Sequence, residues 1–269
     1  MTDGRAPSGG GAGKPGTAPP ALLLVAHGSR DPRHAATVLR LTARVREAAP
    51  GTVVSCGFLD FALPRVGDVL GELRAAGHRS VVAVPLLLNR AFHATSDIPE
   101  LLAGERARLP GLVVRQSEVL GPHPLLTRLL ERRLAEANGG PLRERAATGV
   151  VLASAGTSDP AGRAALTELA ERWRATGGWG AVVSAYASAS APDPGLAVRG
   201  LRAAGLRRVV VAPYVIAPGR LPERIVAGAR EAGADLLAPV LGAAPELAEV
   251  VVDRYLAARE RRPGLRLAG

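Results

Sequence analysis

Histidines at the ends of predicted strands are the residues in this chain best suited to chemistry. Three of the five histidines follow strands in the first half: His27 directly after the first, His93 five residues beyond the third, and His123 after the fourth. In an open parallel sheet the carboxyl ends of the strands share one rim, where ligands bind. Imidazole titrates near neutral pH and binds divalent transition metals, so this rim predicts metal or proton-transfer chemistry. His34, which enters the first helix, and His78, which precedes a strand, are predicted to lie away from the rim.

Two imidazoles with few neighbouring carboxylates suit a borderline divalent ion such as Fe²⁺, Co²⁺, Ni²⁺ or Zn²⁺. Two protein ligands hold a metal weakly and leave coordination positions open, as an enzyme that passes its metal on requires, whereas a structural zinc has four. Sequence motifs for nucleophilic catalysis and for nucleotide binding are missing. The sequence has no G-x-S-x-G nucleophile elbow, no G-x-G-x-x-G after a strand and no G-x-x-x-x-G-K-[ST] phosphate loop.

The chain is internally duplicated. Residues 24–32 (LVAHGSRDP) are repeated 128 positions later as residues 152–160 (LASAGTSDP), and the same spacing aligns residues 73–77 with residues 201–205. One constant spacing over such a length indicates a duplicated α/β unit. Asp31 and Asp159 occur in both copies, which favours a helix-capping or turn role for each.

The second copy has lost every rim histidine. His27 aligns with Ala155, and GPHP at residues 121–124 becomes GAAP at residues 242–245. The nine-residue segment 89–97, which contains His93, is reduced to four residues, 217–220. Scaffold histidines would be expected to survive at least once in so similar a fold, so the joint loss favours function for His27 and His93. The sequence leaves His123 open, because it follows an edge strand.

Strands and helices alternate through both halves. Strands are predicted at residues 21–26, 53–58, 80–88 and 112–114, and again at 150–154, 182–186, 208–214 and 235–238, with amphipathic helices between them. Strands that are apolar on both faces indicate parallel sheets covered on both sides. The predicted fold class is therefore α/β, with two similar lobes that each contain a four-stranded parallel sheet flanked by helices. We expect a disordered tail at 1–19, lobes at 20–138 and 148–269, and a linker at 139–147.

Amino-acid composition limits the kinds of ligand and the cellular compartment that we expect for this protein. The net charge is +10, and every basic residue except Lys14 is arginine. GC-rich coding explains the arginine best, a polyanionic small molecule is the second reading, and nucleic acid is a distant third because aromatic residues make up only 3% of the chain. The chain contains a single cysteine, and it shows neither an apolar run long enough to cross a bilayer nor a secretory signal at the N-terminus. These features predict a cytoplasmic protein. The duplication supplies two lobes from one chain, which favours a monomer.

The motifs resemble one family. HGSRDP at residues 27–32, Phe58-Leu59-Asp60, the segment 84–88 (VPLLL), His93 and the segment 97–99 (DIP) look like the CbiX/SirB family of sirohydrochlorin chelatases. These class II chelatases insert a divalent metal into a tetrapyrrole without ATP. The resemblance spans the chain, since long members are also two fused halves. Asp60 departs from the glutamate common at that position, and the residues before His93 differ from the usual pattern.

The resemblance implies that His27 and His93 bind the metal and assist loss of the pyrrole protons, with the tetrapyrrole held between the lobes. The resemblance also implies that the metal, which is Fe²⁺, Co²⁺ or Ni²⁺, is a substrate and that no nucleotide is required. The implied product is a precursor of sirohaem or cobalamin. Two alternatives stay open: a non-catalytic metal or tetrapyrrole carrier on the same fold, and an interaction module with incidental histidines. Further candidates for contact with the substrate and its carboxylates are Ser29, Arg30, Asn89, Arg90, His123 and Arg220.

Overall fold

Two parallel β-sheets, one from each half of the chain, form the frame of the molecule. The structure, a computed structural model, describes residues 19–89 and 97–260. The first sheet contains β1 (Ala21–Ala26), β2 (Val54–Phe58), β3 (Ser80–Pro85) and β4 (Val113–Gln116) in the order β2-β1-β3-β4. The second contains β5 (Thr148–Ser154), β6 (Ala181–Tyr186), β7 (Arg208–Tyr214) and β8 (Leu236–Leu237) in the order β6-β5-β7-β8. All strand pairs are parallel, which confirms the predicted fold class.

Eight α-helices within residues 19–89 and 97–260 connect and cover the strands. In the first half they are α1 (Pro32–Ala48), α2 (Val66–Ala75), α3 (Ile98–Arg108) and α4 (Pro124–Asn138). In the second half they are α5 (Pro160–Gly177), α6 (Pro194–Ala203), α7 (Arg220–Glu231) and α8 (Pro245–Glu260). In the described ranges, no helix is long and apolar enough to cross a membrane.

Helices α1 and α5 begin in the same way. The carboxylates of Asp31 and Asp159 accept hydrogen bonds from the backbone N–H groups of Arg33 and Ala161, and a proline occupies the first turn of each helix. This arrangement satisfies a backbone donor that the helix itself leaves unpaired, so the predicted capping roles are confirmed. Asp97 precedes α3, but its side chain makes no capping hydrogen bond, because its backbone is already helical.

The last helix of each half crosses to the other lobe. Helix α4, which follows the first sheet in sequence, packs on β7 and β8 of the second sheet, and α8 packs on β3 and α1 of the first. The Tyr255 hydroxyl of α8 donates to the carbonyl of Pro20 at the start of β1, over 2.7 Å. We call this arrangement the helix exchange.

One arginine at each crossing secures the helix exchange. Arg133 of α4 donates to the carbonyl of Leu241 at 2.5 Å, and Arg254 of α8 donates to the carbonyl of Leu120 at 2.9 Å. The two pairs are equivalent and reciprocal, since Arg254 lies 121 residues after Arg133 and Leu241 lies 121 residues after Leu120. The Arg254 guanidinium also binds the Val119 carbonyl at 2.7 Å. The exchange is therefore a feature of the duplicated unit.

A shared hydrophobic core follows from the exchange. One cluster of buried residues joins the inner faces of both sheets to α1, α4, α5 and α8, whereas smaller clusters lie under α2 and α3 and under α6 and α7. Trp173 and Tyr255, among the largest fully buried side chains, belong to the shared cluster. The lobes are consequently held together by core packing of the same kind that holds each lobe.

Candidate functional site

His27 stands at the end of β1, with its side chain exposed. The backbone continues the parallel ladder past the strand, because the Asp60 N–H donates to the His27 carbonyl at 2.9 Å. Gly28 then turns with φ +95°, and a Cβ at this position would overlap the carbonyl oxygen of Asp60. Only glycine combines this backbone conformation with this close approach. The His-Gly pair thus fixes an imidazole at the rim.

The second lobe repeats this turn without the histidine. Gly156 has φ +107°, and a Cβ there would overlap the carbonyl oxygen of Ser188, which is the counterpart of Asp60. Ala155 occupies the position of His27 on this equivalent backbone. The fold therefore requires the glycine and does not require the imidazole.

Phe61 is a site residue that the sequence analysis missed. Its ring lies edge-on to the His27 ring, with 6.3 Å between centroids and an interplanar angle of 70°, and Arg30 Cζ lies 5.3 Å from its centroid. The Phe61 side chain is 47% exposed, and its φ of 59° is an uncommon conformation for a bulky residue. Ala189, the counterpart in the second lobe, has φ 61°. An available signal was that only three phenylalanines occur in the chain and Phe61 directly follows the Phe-Leu-Asp motif.

Asp60 places a negative charge near His27. The hydrogen bond from the Phe61 N–H, at 2.8 Å, is the main cause that lowers the pKa of the Asp60 carboxyl, and the Arg65 guanidinium at 3.1 Å adds to it. The carboxyl is therefore ionised at neutral pH. An anion beside an imidazole favours cation binding at this rim.

His34 lies next to this site, which corrects the expectation that placed it away from the rim. Its ring centroid is 6.4 Å from that of Phe58, the last residue of β2. Burial lowers the pKa of His34, and the nearby charge of His27 lowers it further. The buried Nδ1 of His34 has no hydrogen-bond partner among the residues that the structure describes. The first turn of α1 thus brings a second, neutral imidazole close to His27.

Ser29 belongs to the turn between the rim and α1. Its hydroxyl accepts a hydrogen bond from the Asp31 N–H at 3.1 Å, and Thr157 makes the same contact with Asp159 in the second lobe. The turn also faces the other lobe, because a Cβ built on Gly219 would lie 3.6 Å from Ser29 Oγ. Ser29 therefore lies where the rim of the first lobe approaches the start of α7 in the second.

An ion pair closes one side of this facing surface. Arg33 of α1 binds Asp31 at 2.5 Å and also pairs with Glu223 of α7 in the second lobe. Arg220, the first residue of α7, is exposed next to Gly219. The rim of the first lobe and the start of α7 therefore face each other at the boundary between the lobes.

The predicted partner of His27 is His93. Both Arg90 and His93 lie outside the described residues, so the predicted convergence of His27 and His93 remains a prediction. Asn89, the last described residue before them, is half-buried, and it follows a strand that ends at Pro85. In the part of the chain that is described, no group of three or more His, Cys, Asp or Glu side chains is arranged to hold a metal ion.

His123 caps helix α4 and contacts helix α8, which is a structural role. Its Nδ1 accepts a hydrogen bond from the Leu125 N–H at 3.3 Å and so caps α4, while Nε2 lies 3.5 Å from Asp253 of α8. Burial is the main cause that lowers the pKa of His123, and Arg254 adds to the effect. Its imidazole is engaged in the helix exchange, and a role toward substrate stays a prediction.

Together these features define an α/β protein of two like lobes, in which a histidine-bearing rim on one lobe faces the other. The sequence profile of the CbiX family matches residues 21–137 and 149–258, one repeat in each half. The chain belongs to the CbiX family.

Related proteins agree with this assignment. Sirohydrochlorin ferrochelatase from Priestia megaterium is 28% identical over 205 residues, which are 76% of each chain. Sirohydrochlorin cobaltochelatase from Methanococcoides burtonii is 32% identical over 123 residues, 43% of this chain but 94% of that one. SirB from Bacillus subtilis with Fe³⁺ has a similar structure, with a TM-score of 0.78 at 22% identity, covering 90% of this chain and 96% of that chain. The half-length match fits the duplication.

Proposed function

We propose that this protein is a sirohydrochlorin chelatase, which inserts Fe²⁺ or Co²⁺ into the tetrapyrrole without ATP, for sirohaem or cobalamin synthesis. The observation that carries the proposal is the contrast between His27 and Ala155 on two equivalent glycine turns. Membership of the CbiX family and relatives named for iron and for cobalt support it. Ni²⁺ is a third candidate metal, since imidazole ligands accept all three ions.

The chemistry asks for a proton acceptor beside the metal. Two pyrrole N–H protons leave as the metal enters, and a neutral imidazole at physiological pH accepts protons readily. In this proposal His27 and His93 hold the incoming ion, and each imidazole accepts a pyrrole proton once the ion has left it for the tetrapyrrole. Asp60 supports the site as a fixed anion near His27, because its pKa is lowered. The entering cation in turn favours the deprotonated imidazoles.

Substrate contacts are assigned around the same rim. The exposed ring of Phe61 offers an apolar surface to a flat macrocycle, and Arg30 beside it is placed to bind a carboxylate. Ser29 and Asn89 are polar neighbours of the two catalytic histidines in sequence. Arg90 and Arg220 complete the set of carboxylate ligands that we propose.

The two halves divide the work in this proposal. The lobe at 20–138 carries the reaction, and the lobe at 148–269, linked through 139–147, supplies the opposing wall of the cleft. A single chain then contains a complete site, so we expect a monomer.

A steady-state assay tests the proposal. Sirohydrochlorin with Co²⁺, Fe²⁺ or Ni²⁺ is followed by absorbance, and the protein should give metal-dependent turnover without nucleotide. His27→Ala should remove the activity, whereas the control His78→Ala, the same change between α2 and β3, should keep it. Binding of Co²⁺ or sirohydrochlorin without turnover would instead identify a carrier and refute the chelatase proposal.

A further inference from the structure

A basic surface lies beside the rim that carries His27. A cavity of about 580 Å³ separates α1 of the first lobe from the loops that follow β7 and β8 in the second. Its walls include Arg40, Arg44 and Glu47 of α1, Arg133 of α4, and Pro218 and Gly242 of the second lobe. We call this cavity the arginine groove. Its volume falls within the range of small-molecule sites.

The positive charge of the groove is not neutralised. Arg40 donates to the Thr37 hydroxyl at 3.1 Å, and within residues 19–89 and 97–260 neither Arg40 nor Arg44 pairs with a carboxylate. Both guanidiniums are exposed and lie four residues apart on one helix face, where like charges destabilise a helix. Glu47 is the single acidic residue among the described lining residues. A surface that retains this repulsion is suited to an anion.

Arg133 adds a fixed donor to the groove. It is held by the Leu241 carbonyl at 2.5 Å and by Glu136 at 2.7 Å, so its position is set by the helix exchange. Gly242 leaves room for it, since a Cβ there would lie 3.1 Å from Arg133 Nη2. The groove thus combines two guanidiniums that have no carboxylate partner among the described residues with one that is anchored.

The groove adjoins the rim. Pro218 lines the groove, and the next residue, Gly219, faces Ser29 on the rim. Helix α1 starts at the rim and carries Arg40 about 12 Å along its axis, given about 1.5 Å per residue. A ligand with charged groups at its periphery can therefore reach from the rim into the groove.

We propose that the arginine groove binds peripheral carboxylates of the tetrapyrrole, outside the point of metal insertion. This inference rests on the proposed function. Sirohydrochlorin carries eight carboxylates, and guanidinium groups bind carboxylates through paired, charge-assisted hydrogen bonds. The groove then contributes to substrate capture and takes no part in the proton or metal steps.

Steady-state kinetics of Arg40→Gln/Arg44→Gln test this role. The double variant should raise KM for sirohydrochlorin about tenfold, equivalent to about 1.4 kcal/mol, and leave kcat and KM for Co²⁺ within about twofold, since uniform binding affects KM alone. The matched control is Arg199→Gln/Arg230→Gln, which removes the same charge from exposed positions on α6 and α7. Equal KM values for the two double variants would overturn the proposal.

A binding measurement separates this inference from the chelatase proposal. Uroporphyrin, a metal-free tetrapyrrole with eight carboxylates, is titrated by fluorescence, and its Kd should rise about tenfold in Arg40→Gln/Arg44→Gln. That result supports the groove even if the wild-type protein shows no chelation. Calorimetry with inorganic pyrophosphate tests whether the groove binds a phosphate compound instead of the tetrapyrrole carboxylates. Tight pyrophosphate binding that depends on Arg40 and Arg44, with uroporphyrin binding unchanged, would assign the groove to a phosphate and overturn the proposal.

Discussion

At the scale of single residues, the contrast between His27 and Ala155 separates what the fold needs from what the reaction needs. Both positions follow an equivalent strand and precede an equivalent glycine turn. The second lobe forms this turn with alanine, so packing does not explain the imidazole. Phe61 supports the same conclusion, because the first lobe keeps an exposed aromatic ring where the second has Ala189.

His27 and His93 should respond differently to substitution. His27 is fixed at a strand end, whereas His93 belongs to a nine-residue segment that the second copy shortens to four. We expect His27→Ala to abolish chelation at every pH. His93→Ala should lose most activity at neutral pH and recover part of it at higher pH, where solvent accepts the protons.

The pH–rate profiles of both variants provide the measurement. Recovery confined to His93→Ala would support a fixed metal-presenting imidazole and a separate proton acceptor. Identical profiles, or recovery in His27→Ala alone, would show that this division of labour is wrong.

His34 should make folding stability depend on pH. Its pKa lies below the usual 6.5 because burial opposes the charged form. Well above pH 6.5 the imidazole is neutral in both the folded and the unfolded chain, so its contribution to folding stability is fully present. As the pH falls through 6.5 the unfolded chain binds the proton more readily, so stability decreases. His34→Leu should therefore lose less stability than the wild type between pH 7.5 and 5.5.

Urea unfolding at the two pH values measures this difference. Burial also lowers the pKa of His123, so part of the dependence of stability on pH should persist in His34→Leu. It should decrease further when His123→Asn, which can still cap α4, is added. A slope unchanged in the double variant would contradict the assignment.

The position of the rim that carries His27 was predictable from the sequence, but the full set of side chains that surround His27 was not. Apolar runs locate the strands, and a residue at a strand end follows directly from them, so His27 was found. His34 and Phe61 approach His27 only because the turn at residues 28–31 and the loop after β2 fold back over the strand end. Those approaches depend on three-dimensional turns that hydropathy patterns do not encode.

At the scale of elements, the strands matched their predictions closely where apolar runs had clear limits. β1 and β7 have the predicted bounds, whereas β3 ends at Pro85 instead of residue 88. Residues 86–88 are apolar because they are buried beyond the sheet: Leu88 is 8% exposed and belongs to the shared core. A run of apolar residues indicates buried chain, and here the buried segment continues beyond the last residue of the strand.

The helix exchange was not predicted, for a related reason. The leucines of α4 have a spacing that predicts one apolar face, and this face is equally suited to either sheet. Only the three-dimensional path of the segment between β4 and α4 decides which sheet is covered. That path includes the carbonyl groups bound by Arg254.

Arg254 should therefore be important for stability. It donates to the carbonyls of Val119 and Leu120, and its removal leaves these acceptors without their charged donor. We expect Arg254→Met to lower the free energy of unfolding by about 1.5–3 kcal/mol, the range for hydrogen bonds to charged groups. The control Arg259→Met, at an exposed position on the same helix, should have little effect. Urea denaturation of both variants compares them, and equal losses would contradict the role of Arg254.

At the scale of the whole molecule, the exchange makes each half dependent on the other. A fragment of residues 19–138 retains the first sheet but lacks α8, which covers β3, while its own α4 has no second sheet to pack on. The shared core is divided in the same way. The molecule should therefore unfold as one unit.

Separate expression of residues 19–138 and 148–260 tests this dependence. Neither fragment should form a folded monomer by circular dichroism and light scattering, whereas mixing them should restore the far-UV spectrum. The intact chain should have the mass of one copy, 27.6 kDa. A half that is folded and monomeric on its own would refute the shared core.

The helix exchange also bears on how the protein responds to dilution. If the two halves were separate chains, each would need to capture the last helix of its partner, and assembly would weaken as concentration fell. Joining them through residues 139–147 makes this capture intramolecular, at an effective concentration in the millimolar range for a short linker. The proposed site is then complete in a single molecule at any cellular abundance. Because the halves no longer have to be identical, one could lose its histidines while the other kept them.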